Sequence, residues 1–468
     1  MSFVASSFIF FLIIFFILFY ICPKRLRWIV VLIGSYIFYS FEDIFFLIPL
    51  FLSTVVDYYS SIQIEKNRSS PKKYLFLVLS LSTNIGMLAY FKYADFAMSI
   101  FDLSQSMSYS SNPSGLYAIP IGISFYTFQT ISYTIDVFRG SRKAERDFGI
   151  FAVFVSFFPQ LVAGPIEKSS SLIPQIKSLP NVKFNQILYS QAFSLIIWGF
   201  FKKLLIADRL GVIVDKIYST PADFSSITLI ISGCLFMIQI YCDFSGYTLI
   251  ARGVAQLFGI ELSKNWNYPL FQTSFRDFWK NWHITLSNWF KDYIYIPLGG
   301  RKNSFFVWSS VVLLVFLLSG LWHGANYTFI VWGLLNAIAL LIEKLLSKYI
   351  QLVKINFISC IFVFFFCGVF FISFRSNSIH EFVEILRMSV SSGSNLIQDY
   401  VKFDMWIVSH LVNAVLLFVF FLYEWTCFKN KTEINHSLIS RPEIQAALFL
   451  VIIVLAEFQN KPFIYFQF

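Results

Sequence analysis

Two of the five histidines stand where they could do acid–base chemistry. His323 lies in SGLWHGANYTF, between two strongly apolar segments, and His283 lies in the polar and aromatic stretch FRDFWKNWHITLSNWFKDYIYIPLGG. An ionisable side chain held between membrane spans is costly and usually faces a cavity, so function is its default hypothesis. Imidazole titrates at about pH 6.5, which suits a general base. For His323 the alternative is a core histidine whose polar atoms are satisfied by its neighbours.

The residues next to His323 fit a site. Gly320 and Gly324 would let the chain turn and approach a ligand closely. Three further neighbours could supply packing and hydrogen bonds: Trp322, Asn326 and Tyr327. The other histidines lie in or beside predicted loops, where structural or surface roles are expected: His380, His410 and His436.

Other catalytic signatures are absent from the sequence. It contains no G-x-S-x-G elbow, no H-E-x-x-H pair and no P-loop, and its six cysteines form no C-x-x-C pair. His283 and His323 could meet in space, but no third metal ligand is evident at a suitable spacing. We therefore expect no metal.

The composition is that of a membrane protein. Of the 468 residues, 57% are hydrophobic and only 13% are charged, and the mean hydropathy is +0.68, whereas soluble domains carry about 25% charged residues. The net charge of +10 could suggest nucleic acid. Because the basic residues fall in short clusters between apolar runs, they fit the cytoplasmic loops of a multi-pass protein instead, and we expect no nucleic-acid partner.

Twelve segments are apolar enough to be considered as spans of about 20 residues. They lie at roughly 3–21, 28–41, 44–57, 74–92, 118–138, 189–206, 227–248, 305–322, 327–346, 355–374, 410–428 and 444–458. We read the first as a retained helix rather than a cleaved signal peptide, since its positive charges follow it. If the basic clusters are cytoplasmic, both ends of the chain lie on the outer face.

Two regions do not fit simple spans. Residues 148–182 are apolar but contain the helix breakers Gly164 and Pro165, which predicts a re-entrant or partly buried segment. Residues 249–300 are too polar to span and too aromatic for an ordinary loop. Irregular polar backbone is tolerated at membrane depth only when protein buries it or when it lines a watery cavity.

Five stretches in one order carry a family resemblance. They are FPQLVAGPIEK at 158–168, YCDFSGYTLIARGVAQLFGI at 241–260, the block 265–300 that begins NWNYPLFQ, LSGLWHGANYTFIVWGLLNA at 318–337, and the final PFIYFQF. Together they closely resemble the membrane-bound O-acyltransferase family, and within it the bacterial alginate O-acetylation branch. One departure from the usual motif, SGYTLIARG, leaves the roles around Asp243 open.

The resemblance implies an all-α integral membrane protein: a ring of about 11–12 transmembrane helices around a central tunnel, with re-entrant or amphipathic segments. It implies one domain over residues 1–468, with core motifs at about 118–340 and an aromatic tail at 459–468. The near-universal catalytic histidine of the WHG motif falls on His323, and a second, more variable catalytic position falls on His283. The polar block 249–300 would line the tunnel.

The same resemblance implies the reaction and its partners. Acetyl-CoA would enter as the acyl donor from the cytoplasm, and the acetyl group would pass through the membrane to an extracellular or periplasmic polysaccharide. An outer-face acetyltransferase of the SGNH type would work with the chain. Membrane lipid would surround the chain. His323 would act as the general base on an attacking hydroxyl, in a tunnel that positions the reactants and excludes water.

The last residues of the chain contain a further candidate. Phe463-x-Tyr465-x-x-Phe468 resembles the tyrosine motif of related bacterial acyl-export systems, in which the tyrosine is proposed as a covalent acyl relay. Phenol has a pKa of about 10, near that of a thiol, so a phenyl ester retains much of the transfer potential of a thioester. The alternative for Tyr465 is an aromatic anchor at the membrane interface.

Two other functions stay open from the sequence. Within the same class, the chain could transfer D-alanine to teichoic acid from a carrier protein. From a different class, it could be a proton-coupled transporter, with the two histidines as a proton relay and Asp57, Asp136 and Asp243 as ion partners.

Overall fold

The chain folds into helices and irregular segments in a computed structural model. The structure describes residues 3–100, 119–302, 304–350, 356–391, 393, 399, 407–434, 436–456 and 463–464. Over these residues it contains no β-strand, as an all-α protein requires. The helices form two compact units, the first comprising Met1–Ile196 with Thr248–Ser263, and the second Ile197–Tyr247 with Lys264–Phe468.

The first unit contains the helices from the amino-terminal part of the chain. They are α1 (Ser6–Ile21), α2 (Arg27–Ser40), α3 (Leu47–Lys66), α4 (Lys72–Leu88), α5 (Ala94–Ile100), α6 (Ile123–Arg139), α7 (Phe148–Ser156), α8 (Phe158–Leu161), α9 (Ser169–Ser178) and the start of α10 (Tyr189–Phe200). Glycines with φ +77° stand at both ends of α6: Gly122, where a Cβ would meet the carbonyl oxygen of Leu161 at 2.5 Å, and Gly140. Only glycine adopts this backbone readily.

A buried polar cluster joins three helices of this unit. The carboxylate of Asp57 in α3 accepts hydrogen bonds from Asn84 at 2.8 Å, from Thr134 at 3.3 Å and from Ser80. Hydrogen-bonded polar side chains of this kind hold apolar helices together where the hydrophobic effect cannot. The geometry therefore gives Asp57, one of the three expected ion partners, a role in helix packing.

The region 148–182 is irregular and buried, as its sequence predicts. Helices α7, α8 and α9 are short, and almost every side chain from Ile150 to Glu167 is buried. The carbonyl oxygen of Phe154 accepts hydrogen bonds from the side-chain amides of Gln129 at 2.7 Å and Gln160 at 3.1 Å. Side chains thus supply the hydrogen-bond partners that this irregular backbone would have in a regular helix.

The second unit contains the end of α10, a π-helical turn at Phe201–Ala207 and most of the remaining helices. These are α11 (Asp208–Ser219), α12 (Ser226–Leu257), α13 (Phe275–Asn281), α14 (Ile284–Phe290), α15 (Phe305–His323), α16 (Tyr327–Ile350), α17 (Asn356–Arg375), α18 (Ile379–Ser391), α19 (Ile407–Asn430), α20 (His436–Ile439) and α21 (Pro442–Leu455). The last ten residues of α12, Thr248–Leu257, belong to the first unit.

Each of the twelve apolar segments overlaps a helix. Among the described residues, seven helices are long and apolar enough to cross a membrane: Ile44–Lys66, Lys72–Met98, Ser226–Leu257, Phe305–His323, Tyr327–Ser347, Phe357–Arg375 and Ser409–Asn430. Apolar helices such as α1 and α21 are shorter. Large apolar side chains such as Phe10, Phe306 and Val454 are mostly exposed, as lipid-facing residues are.

One boundary differs from the sequence expectation. The block 249–300 was expected not to span, yet its first nine residues continue α12. The polar residue Arg252 does not break this helix because its side chain is buried and donates a hydrogen bond to the carbonyl oxygen of Leu262 at 3.1 Å. The remainder of the block is irregular, with two short helices and a π-helical turn at Lys291–Tyr295.

Candidate functional site

Hydrogen bonds fix the chain on both sides of His283. The carbonyl oxygen of Asn265 accepts the backbone N–H of Ile284 at 2.8 Å, and its side-chain oxygen accepts the N–H and hydroxyl of Thr285 at 3.1 and 3.0 Å. The Ser274 hydroxyl caps the start of α13 by accepting the N–H of Asp277 at 3.0 Å. Side-chain caps of this kind define where a short helix begins.

His283 itself caps α14 in an uncommon conformation. Its φ is +41°, a left-handed backbone that non-glycine residues seldom adopt. Its Nδ1 accepts the backbone N–H of Leu286 at 3.4 Å, which assigns the imidazole proton to Nε2. Burial lowers the pKa of His283 to about 3. The side chain is therefore a neutral imidazole whose Nε2–H can donate a hydrogen bond, and this makes it a poor general base.

His323 ends α15 in an aromatic enclosure. Its side chain is 3% exposed, and its ring centroid lies 5.1 Å from Trp332 and 5.3 Å from Phe374, with both rings edge-on. Gly324 follows it as the last capping residue of the helix. The rings fix the plane of the imidazole and exclude water around it.

The two glycines beside His323 serve helix packing rather than close approach to a ligand. A Cβ on Gly320 would lie 2.3 Å from the carbonyl oxygen of Phe329, and one on Gly324 would lie 2.1 Å from the Phe329 ring. Small residues at such positions let two helices approach closely. Asn326 caps the next helix by accepting the N–H of Thr328 at 3.0 Å.

One cavity joins the two histidines. It has a volume of about 460 Å³ in the second unit, and both His283 and His323 line it. Ser287, Asn288 and Ser319 add polar groups. Three basic side chains also line it: Arg276, Lys280 and Lys291. Polar groups that converge on a concave, largely apolar site are typical of ligand pockets.

Aromatic rings form the wall behind His283. Its ring centroid lies 4.7 Å from that of Phe244 in α12 and 6.0 Å from that of Trp322, both edge-on. Trp266 lies 5.9 Å away. Since these side chains come from separate elements of the second unit, the polar block 264–300 is packed against the helices around it.

The aromatic tail reaches the same wall. Phe463 and Ile464 are 3% and 5% exposed, and the Phe463 ring lies 5.5 Å from Phe244. The backbone N–H of Ile464 donates a hydrogen bond to Oδ2 of Asp243 at 2.7 Å. Tyr465 lies outside the described residues.

Sequence reasoning missed a set of buried charges beside this wall. Lys203 in the π-helical turn pairs with Asp243 at 2.6 Å and with Asp208 at 2.9 Å. Its neighbour Lys202 pairs with Glu424 at 2.8 Å. The sequence does contain a signal for these charges, because two lysines and a glutamate stand inside segments predicted to span the membrane, where charged side chains are costly.

The other titratable candidates lie apart from the cavity. His380 is exposed in α18, and His410 is half-buried in α19. Cys242 and Cys427 are buried thiols. Within the described residues no three His, Cys, Asp or Glu side chains are close enough to hold a metal ion.

In its described residues the all-α protein has seven helices long and apolar enough to cross a membrane, together with a cavity lined by two buried histidines. These features are those of a multi-pass membrane protein with groups for acid–base chemistry. The model of MBOAT, the membrane-bound O-acyltransferase family, matches residues 45–379. The chain belongs to this family and is an O-acyltransferase of a bacterial membrane. The matched residues include His283 and His323 and end before the aromatic tail.

Bacterial proteins named as acetyl or D-alanyl transferring enzymes are similar to large parts of the chain. A probable alginate O-acetylase of Pseudomonas putida is 34% identical over 81% of this chain and 78% of its own length. A peptidoglycan O-acetyltransferase of Helicobacter pylori is 33% identical over 77% of this chain and 72% of its own. A teichoic acid D-alanyltransferase of Bacillus subtilis is 27% identical over 49% of this chain and 60% of its own.

Proposed function

We propose that the protein transfers acetyl groups from cytoplasmic acetyl-CoA through the membrane to an extracellular or periplasmic polysaccharide. The observation that carries this proposal is the single cavity lined by both His283 and His323. Relatives that match most of the chain include a probable alginate O-acetylase and a peptidoglycan O-acetyltransferase. Both names describe acetyl transfer to a hydroxyl of a glycan polymer.

The donor fits the charges of the cavity. Coenzyme A carries several phosphate charges on a long, flexible pantetheine arm. Arg276, Lys280 and Lys291 line the cavity and would attract these phosphates. The acetyl thioester at the other end of the arm would then lie towards the buried histidines.

The two histidines have different roles in this reaction: His323 transfers the proton, and His283 stabilises the developing charge. His323 takes the proton of the attacking hydroxyl, the hydroxyl oxygen forms a bond to the thioester carbonyl carbon, and the carbon–sulfur bond breaks. The proton then passes from His323 to the departing thiolate. The Nε2–H of neutral His283 donates to the carbonyl oxygen, where negative charge develops.

Tyr465 is the first acceptor in this proposal. Its phenol attacks acetyl-CoA and becomes an acetyl ester, with coenzyme A released as the free thiol. Support comes from Phe463 and Ile464, which are buried against the wall of His283. Consecutive Cα atoms are about 3.8 Å apart, so Tyr465 follows directly on a residue fixed beside the site. A second hydroxyl, on an SGNH-type partner or on the polysaccharide, then takes the acetyl group and returns the proton to the phenol.

The test uses the full chain in membrane vesicles supplied with radiolabelled acetyl-CoA on the cytoplasmic face. Wild-type protein is expected to transfer label to an acceptor on the opposite face, and His323→Ala is expected to lose this transfer. Full transfer by His323→Ala would contradict the enzymatic assignment. In the same assay, mass spectrometry of the final peptide should find an acetyl group on Tyr465. If Tyr465→Phe is fully active, Tyr465 is not an acyl relay, and its role is that of an aromatic anchor at the membrane interface.

The teichoic acid D-alanyltransferase relative supports a second candidate. In that case a D-alanyl group would arrive on a carrier protein, and the phosphates of coenzyme A would play no part. Comparing labelled acetyl-CoA with a D-alanyl-loaded carrier in the vesicle assay separates the two donors. A transporter would instead move its solute without any acyl product.

A further inference from the structure

Asp243 binds two different groups with its two carboxylate oxygens. Its Oδ1 lies 2.6 Å from the ammonium of Lys203, and its Oδ2 accepts the backbone N–H of Ile464 at 2.7 Å. Asp243 is 2% exposed and belongs to α12, whereas Ile464 belongs to the aromatic tail, more than two hundred residues further along the chain. A buried carboxylate that accepts a backbone N–H forms one of the stronger hydrogen bonds available to a protein.

Lys203 holds this carboxylate in place. Its ammonium also pairs with Asp208 at 2.9 Å, and all three side chains are 7% exposed or less. The close approach of two backbones makes the pair possible, because a Cβ on Gly246 would lie 2.7 Å from the carbonyl oxygen of Gly199. Since the ammonium is fixed between two carboxylates, Oδ2 of Asp243 has a fixed direction.

The end of α21, the helix that precedes the tail, is held by α11, the helix that contains Asp208. Arg209, next to Asp208, donates a hydrogen bond to the carbonyl oxygen of Leu455 at 2.9 Å and binds the side-chain oxygen of Asn413. Leu455 is the last residue of α21. The end of α21 and the tail are therefore both held by polar contacts to residues of the second unit.

An aromatic contact completes the attachment. The Phe463 ring lies 5.0 Å from that of Tyr247 and 5.5 Å from that of Phe244. The same Phe244 ring lies 4.7 Å from the imidazole of His283. One ring therefore separates the docked tail from a histidine of the cavity.

We propose that Asp243, oriented by Lys203, is a positioning residue that docks the aromatic tail beside His283. The docked state rests only on contacts between described residues. Its consequence for acyl transfer rests on the proposed function, in which the residue after Ile464 is the first acyl acceptor.

Docking can be measured without any activity. In full-length Ile464→Cys protein the new thiol is expected to be buried and to react slowly with a maleimide in detergent, because the backbone N–H that Asp243 binds is unchanged. Adding Asp243→Ala should raise the labelling rate at position 464 about tenfold or more, since a hydrogen bond to a charged acceptor is lost. Mass spectrometry of the labelled peptides reads each cysteine separately.

The native cysteines provide the control for folding. Cys427 is completely buried in the second unit, and Cys22 in the first unit is partly exposed. Both should label at the same rates with and without Asp243. An unchanged rate at position 464, with Cys427 still protected, would overturn the proposal.

If Asp243→Ala exposes Cys427, the labelling experiment is repeated with Asp243→Asn instead of Asp243→Ala. The amide keeps the shape of the carboxylate, yet it cannot accept from both Lys203 and Ile464, because one of its two positions is now a donor. Faster labelling at position 464 with Cys427 protected supports docking by Asp243. An unchanged rate contradicts it.

A third arm separates this inference from the proposed function. Ile464→Pro removes the donor and leaves Asp243 and Lys203 intact, and Ile464→Leu keeps the donor. The Pro variant is expected to lose about tenfold in acetyl transfer relative to the Leu variant. If Asp243→Ala speeds labelling at position 464 in the Ile464→Cys protein, but Ile464→Pro transfers acetyl groups as fully as Ile464→Leu, the relay is refuted and the docking proposal stands. Unchanged labelling would refute the docking itself.

Discussion

The ammonium of Lys202 lies 2.8 Å from a carboxylate oxygen of Glu424, and both side chains are 4% exposed or less. The other oxygen of Glu424 accepts the phenol of Tyr241 at 2.6 Å. The pair joins the π-helical turn at Phe201–Ala207 to α19, within the second unit. It is a buried ion pair in which each carboxylate oxygen has a partner, and additional hydrogen bonds of this kind make the burial of two charges tolerable.

Removing one member of this pair should destabilise the protein strongly. Lys202→Met leaves Glu424 buried without its counter-charge, and the expected loss is about 3–5 kcal/mol. Thermal unfolding in detergent measures it. The double variant Lys202→Met with Glu424→Gln removes both charges and should recover most of the loss. If the double variant is as unstable as the single one, the pair is not the reason for the instability.

The sequence predicts the helices and the two histidines for clear physical reasons. Apolar runs of sufficient length become helices in any environment without water, so each predicted span overlaps an observed helix. His323 stands between two apolar segments and His283 in a polar and aromatic block, so the sequence distinguishes both from the three histidines in or beside predicted loops.

The pairs among buried charges could not be predicted in the same way. Lys203 and Asp243 stand forty residues apart, and the contact depends on a π-helical turn that places consecutive lysines in different surroundings. The glycines beside His323 illustrate a second limit. The sequence predicts close approach to a ligand for Gly320 and Gly324, and only the position of Phe329 shows that they serve helix contact.

Gly320→Ala should test that contact. The added methyl group would lie 2.3 Å from the Phe329 carbonyl oxygen, so α15 and α16 must move apart. Overpacking of this kind costs about 1–3 kcal/mol, and a lower unfolding temperature is expected.

The matched control for that variant is Gly86→Ala in α4. A Cβ there meets nothing within 4 Å, and alanine is favoured over glycine in a helix. This variant should be neutral or more stable by about 0.5–1 kcal/mol. Equal effects of the two substitutions would show that helix propensity, and not the contact with Phe329, determines the result.

Glu167→Gln should change how stability depends on pH. Burial raises the pKa of Glu167 to about 7, while its carboxylate accepts the N–H and hydroxyl of Ser263. A raised pKa in the folded state gives stability that is full below about pH 4.5 and is lost as the pH rises through about 7. Glutamine resembles the protonated acid and has no such dependence. The unfolding temperature of the variant relative to wild type should therefore rise between acid and alkaline pH, and a constant difference would argue against the buried, protonated state.

His283→Asn should separate the fold from the chemistry at this position. Asparagine tolerates the left-handed backbone and caps helices well, so α14 should form as before. Its shorter side chain cannot place a donor where Nε2 of His283 lies. We expect acetyl transfer to fall about 10²–10³-fold, the usual effect of losing a donor to a developing oxyanion, with little change in unfolding temperature at neutral pH. A parallel loss of stability and activity would instead assign His283 to the fold.

The same variant has a defined pH signature. Burial lowers the pKa of His283 from 6.5 to about 3, so the unfolded chain binds more protons than the folded protein between these values. Stability from the neutral imidazole is therefore full above about pH 6.5 and is lost as the pH falls towards about 3. Asparagine does not titrate, and the carboxylates elsewhere act equally in both proteins. The unfolding temperature of wild type minus that of His283→Asn should thus become more negative as the pH falls from about 7.5 to about 5. A difference that does not change with pH would mean that His283 takes up its proton as readily in the folded protein as in the unfolded chain, and the role of neutral donor would be wrong.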